Sequence, residues 1–203
     1  MYLASRWLFR NLSRLELVAA WIVILVLIGA FARYMFVVFA RAEQTMVERT
    51  VMNINTTLKY QVGMARMRGD YEHIGRIVLG NPVEHVRSFN PSYPLEGNGM
   101  EIELSLASLP ALSAPSNYAG EIDDMNLESA RKGNWYYNKN DGTLVYIVRN
   151  NEYFVTDLEG PERLRYRLDV DFEDTNNNGK FDPGVDALHG IGLNSMDEYK
   201  WVN

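Results

Sequence analysis

The sequence predicts an α+β protein in which one long N-terminal helix packs on an antiparallel β-sheet. Three observations predict it. An uncharged apolar run lies near the N-terminus, an amphipathic helical period continues from it, and period-2 alternation takes over after residue 133.

The helix comes first in the chain. Residues 17–32 read LVAAWIVILVLIGAFA without a charge, and after Arg33 the run continues as YMFVVFA to Ala40. A bilayer-crossing helix needs about 20 mainly apolar residues, so residues 15–40 are expected to span, with Arg33 near the far interface where its stem can snorkel outwards. A cleaved secretory signal is the rival reading. This run is longer than a signal's apolar region and passes into FARAEQTMVERTV with no A-x-A terminus. Arg6, Arg10 and Arg14 precede the span, which orients a short arm, residues 1–14, to the cytoplasm and everything beyond to the other side. The expected location is the inner membrane, single-pass, with a periplasmic C-terminal domain.

The helical period does not stop at Ala40. Val47, Val51, Ile54, Leu58, Val62 and Ala65 recur at spacings of three and four until Gly69. One helix over residues 15–67, about 80 Å long at the standard rise, is expected, with residues 41–68 laying an apolar stripe on a folded domain. The domain itself is expected over residues 69–203.

Charge divides at the same place. The first fifty residues hold Arg6, Arg10, Arg14, Arg33, Arg41 and Arg49 against Glu16, Glu43 and Glu48, a net of +3. With −6 over the whole chain, the remainder carries −9. An acidic body is not the profile of a nucleic-acid binder. At 47% apolar and 23% charged residues the chain can bury a core, and its lack of cysteine excludes disulfides, thiol catalysis and Cys-ligated metals.

Within the domain, YEHIGRIVLGNPVEHVR reads as a short helix ended by Gly80, with Asn81-Pro82 blocking continuation. Residues 88–120, rich in Pro, Ser, Gly and Asn, read as a long connecting loop. Trp135-Tyr136-Tyr137 and residues 143–148 flank an Asp141-Gly142 hairpin signal. In residues 163–172, Leu164, Tyr166, Leu168, Val170 and Phe172 alternate with charged residues, which makes a half-buried strand and a cover for the helical stripe.

The helix resembles those of type IV pilins and of the pseudopilins of type II secretion. Leu15-Glu16-Leu17-Val18 is similar to the opening of the mature pilin helix, and Ala40-Arg41-Ala42-Glu43 to the Ala-Arg-Ser-Glu stretch many pilins carry at that distance. Asn11-Leu12 stands where prepilin peptidase needs a small residue followed by Phe or Met, so the chain is expected to escape cleavage. The resemblance implies that Glu16 meets the N-terminal amine of a neighbouring processed pilin, or Arg14 when the chain is alone; an interfacial Glu16 reaching headgroup water is the alternative.

A second resemblance covers the domain. Asn81-Pro82, residues 115–121, 133–137 and 144–150 occur in an order similar to the non-cleaved protein F family of the mannose-sensitive haemagglutinin (MSHA) pilus systems. It implies a non-catalytic protein assisting assembly, initiation or anchoring of a type IV pilus. The implied partners are pilin or pseudopilin subunits through Glu16, Arg33 and Arg41 of the membrane helix, and assembly proteins through the domain. A minor pseudopilin and a single-pass calcium or ligand sensor are the alternatives, the short arm weighing against the sensor.

One motif carries chemistry. In DTNNNGKFDPGVD, residues 174–186, Asp174, Asn176, Asn178 and Gly179 take the first, third, fifth and sixth positions of an EF-hand-like calcium loop, the Lys180 carbonyl the seventh and Asp182 the ninth. Val185 stands where an EF-hand has its bidentate Glu, leaving Asp186 to close the shell, and ALHGIGL is no exit helix. A structural Ca²⁺ site of weak affinity, with a dissociation constant of about 10⁻⁴–10⁻³ M, is expected; a polar turn bonding its own backbone is the alternative. No enzyme is expected. His73, His85 and His189 are dispersed, and no nucleophile motif or phosphate-binding loop occurs.

Overall fold

The computed structural model describes residues 14–88, 114–123 and 129–202. The arm at residues 1–13 and the stretch 89–113 of the expected loop lie outside the described residues.

Helix α1 runs unbroken from Arg14 to Arg68, so no interruption falls near Ala40. Its apolar run is exposed from Arg14 to Tyr34 and partly covered at Met35, Val37 and Val38; the most apolar window is nowhere buried against the rest of the described chain. Burial begins at Ala40 and follows the predicted stripe through Val47, Ile54, Leu58, Val62 and Ala65, with Val51 packed against it. The helix stops at Gly69, whose φ of +69° only glycine adopts without strain. Gly69 N donates to Arg66 O and Asp70 N to Ala65 O, the paired bonds of a Schellman end.

Asp70 then caps the next helix, α2 (Tyr71–Leu79), by accepting from His73 N at 2.9 Å. Gly80 ends α2 as expected. Beyond it the chain departs from the sequence reading, because Pro82 does not merely block a helix. It opens a new one, α3 (Pro82–Ser88), in which Asn81 Oδ1 accepts from Val83 N. Proline at a first helical position loses no hydrogen bond and is preset in φ.

The main sheet has the order β1 (Tyr118–Ile122), β2 (Trp135–Asn138), β3 (Thr143–Ile147), β5 (Arg163–Glu173), β6 (Ala187–Ser195). A second, two-stranded sheet joins β4 (Phe154–Thr156) to β7 (Tyr199–Trp201). The main sheet is mixed and not purely antiparallel, since β1 runs parallel to β2 while the other pairs are antiparallel. β1 also corrects the expectation of loop up to residue 120. Its burial alternates, but Gly120, at φ +116°, takes one of the inward positions and a register shift falls between Tyr118 and Glu121, so only Tyr118 and Ile122 are left to announce this edge strand.

The core lies between α1 and the sheet. Trp135 sits at its centre, fully buried, with ring centroids 4.9 Å from Tyr146 and 5.8 Å from Tyr166. Ile74 and Ile77 of α2 and Val83 and Val86 of α3 close its far end. Polar side chains of α1 tie the helix to its neighbours. Asn55 accepts from Leu193 N at 2.5 Å and donates to Leu193 O at 3.2 Å, Arg66 donates to Leu188 O, and Gln61 to His85 O. Asn55 thereby pairs an exposed edge of β6 as another strand would.

Candidate functional site

Two polar constellations stand out, one at each end of the domain. The first is built on Glu43. It falls on the buried stripe of α1, four residues before Val47, and is itself buried. A carboxylate there must be compensated by hydrogen bonds. Its Oε1 accepts from Tyr146 Oη at 2.7 Å and Arg149 N at 2.6 Å; its Oε2 accepts from Asn150 N at 2.9 Å and Asn150 Nδ2 at 2.6 Å. Burial first, and then the hydrogen bond and charge of Glu43, push the Tyr146 hydroxyl well above its ordinary pKa, so it stays a donor. Three segments meet here: the exit of the apolar helix half, β3, and the turn after β3. The sequence had placed Glu43 in the Ala-Arg-Ala-Glu stretch without a role. Its signal was the spacing, because Ala40, Glu43 and Val47 continue the three-and-four period.

The second constellation is the loop of residues 174–186 between β5 and β6. It turns through three left-handed residues, Asn177 at φ +58°, Gly179 at φ +75° and Gly184 at φ +83°. Asp174 accepts from Asn178 N at 3.2 Å and Gly179 N at 2.7 Å. Asn176 Oδ1 accepts from Asn178 N and Asn178 Oδ1 from Lys180 N, while both Nδ2 groups converge at 2.6 Å on Asp182 Oδ2. Asp186, the group expected to close a metal shell, is buried at the base of the loop. Its two oxygens accept from Thr175 N at 2.9 Å and Asp182 N at 2.7 Å, which clamps entry to exit. Among the described residues, no three His, Asp or Glu side chains are grouped as a metal site would require. Asp174, Asp182 and the two Asn side chains nevertheless offer oxygen donors of the hard type that Ca²⁺ prefers.

The loop is seated on α2, a contact the sequence did not disclose. A Cβ on Gly75 would lie 2.6 Å from Pro183 Cγ, and Gly184, at φ +83°, lies against the Tyr71 ring. Phe181 meets Phe172 edge-on at 5.6 Å.

The remaining predicted site residues are spread along α1. Glu16 is in its first turn, and Arg33 and Arg41 are exposed further along it. None belongs to either constellation. Of the histidines, His73 lies on α2 within 3.5 Å of Arg76, and His85 packs its Nε2 2.9 Å from Arg76 O with its pKa lowered mainly by burial. His189 lies on β6. Comparison of the chain with protein-family models, with curated proteins and with solved structures gives no match.

Proposed function

We propose that the chain is a non-catalytic, pilin-like inner-membrane protein that assists the assembly, initiation or anchoring of a type IV pilus of the MSHA kind. One observation carries the reading. The 55-residue helix is continuous, leaves its most apolar window wholly exposed and buries the stripe of its second half against the domain. A helix apolar all round over some 24 residues is suited to lipid, and the amphipathic continuation to a folded domain. In this reading the N-terminal arm is cytoplasmic, the domain periplasmic, and pilin or pseudopilin subunits pack against the membrane half, with Glu16 meeting a neighbour's N-terminal amine. The pilin-like residues at 15–18 and 40–43 support it.

Within the same reading, the 174–186 loop holds one structural Ca²⁺. The support is the convergence of Asn176, Asn178 and Asp182 on one point. A cation entering there replaces the two amide donors against Asp182, and turning the amides over presents their oxygens. Asp174 supplies a second carboxylate, and Asp186 holds the loop shut.

Two experiments test the reading. Because the chain has no cysteine, single cysteines at Ser5 and Lys180 report topology. An impermeant thiol reagent in outer-membrane-permeabilised cells should label the second and not the first. Glu16→Ala should weaken co-purification with pilus subunits; unchanged co-purification removes the partner-amine role.

A further inference from the structure

The two loops fastened at the Glu43 junction carry a basic cluster. Arg149 and Asn150 are held there through their backbone N–H groups. Lys132 Nζ bonds Asn151 Oδ1 at 3.2 Å, and the Arg149 guanidinium lies so close over Gly133 that a Cβ there would meet it at 2.5 Å. Gly133 N also donates to Ile147 O at 2.6 Å. Residues 129–134 and 148–153 are therefore one interlocked platform. It exposes Arg131, Lys132 and Arg149 against one acid within these two segments, Glu152. This is positive charge on a domain that is otherwise strongly acidic.

Its height follows from the helix. At about 1.5 Å per residue Glu43 stands about 39 Å from Leu17, against about 40–45 Å for a bilayer with both headgroup layers. A platform bonded to Glu43 is thus at the outer margin of the headgroups, within a Debye length of about 8 Å of their phosphates. Guanidinium and ammonium groups at that depth meet phosphate oxygens.

We infer that this platform of Arg131, Lys132 and Arg149 binds the anionic phospholipid surface from which α1 emerges and so fixes the domain's tilt on the membrane. The inference rests on the membrane-spanning reading of α1. Each basic side chain near an anionic surface contributes about a fivefold factor to the docked-to-undocked ratio.

The test uses the full chain in vesicles, with a fluorophore on Ala130→Cys and a headgroup-nitroxide lipid as quencher. A second variant, labelled at Val26→Cys, reports lipid burial of the helix. In phosphatidylcholine containing phosphatidylglycerol, quenching at position 130 should exceed that in phosphatidylcholine alone and should fall at high salt. Arg131→Gln, Lys132→Gln and Arg149→Gln should each lower the docked ratio about fivefold, and Arg149→Lys should restore it. Equal quenching at 130 in both bilayers, with position 26 buried in lipid, overturns the platform alone. A water-exposed position 26 overturns the spanning helix, and the platform with it.

Discussion

Glu43 and Tyr146, 103 residues apart in sequence, meet through a 2.7 Å hydrogen bond inside the protein. The bond joins the first domain-facing turn of α1 to the central strand of the sheet. The same carboxylate accepts from the backbone of Arg149 and Asn150, so Glu43 sets where the domain begins along the helix.

Glu43→Ala should therefore cost about 3 kcal/mol, because it leaves the buried Tyr146 hydroxyl and three part-buried N–H donors without their acceptor. Tyr146→Phe should cost about 1 kcal/mol, and the double variant less than the sum of the two. Chemical denaturation of the full chain in detergent measures all three. Additive losses would show that the bond contributes nothing of its own.

Tyr146 also predicts a dependence on pH. Its hydroxyl titrates well above the ordinary value through burial and the Glu43 carboxylate, and burial raises Tyr166 likewise. A raised folded-state pKa stabilises fully below the unfolded value, about pH 10, and that stability is lost as pH rises beyond it. The denaturation midpoint should start to fall at about pH 10 and keep falling as pH rises further. Tyr146→Phe should make the fall shallower, with Tyr166 and, through burial, Tyr118 and Tyr137 accounting for what remains.

Much of this architecture was legible in the sequence, for physical reasons that also mark where legibility ends. The extent of α1, its stop at Gly69, the Asp141-Gly142 hairpin and β5 each depend on a local period or a turn residue. β6 does not announce itself. A register shift opposite Asp171 and Phe172 leaves His189 unpaired, so Leu188 and Ile191, three apart, both turn to the core and the period of two is broken. β4 and β7, at three residues each, are too short to show any period. The partners of Glu43 lie more than a hundred residues away, and only its place on the stripe hinted that it needed them. The 174–186 loop was legible in its donors, but the clamp by Asp186 and the seat on α2 are tertiary facts.

Calcium should raise the melting temperature of the protein. At a concentration about tenfold over the dissociation constant the gain is about 1.4 kcal/mol, and Asp174→Ala should abolish it. Thermal unfolding with chelator and with millimolar Ca²⁺ is the measurement. No shift removes calcium from the proposal and leaves the loop a self-bonded polar turn.

The seat of that loop can be probed without metal. Gly75→Ala places a methyl against Pro183 at a separation real side chains do not show, so the loop must shift or strain. A loss of about 1–3 kcal/mol is expected. An unchanged stability would mean that the loop lifts freely from α2.

Crosslinking from single photoreactive residues placed along residues 17–32, in cells making the pilus, addresses the proposed function most directly. Adducts with pilin or pseudopilin subunits, confined to one face of the helix, are the predicted result. Adducts with lipid alone at every position, in cells where the pilus assembles, would contradict it.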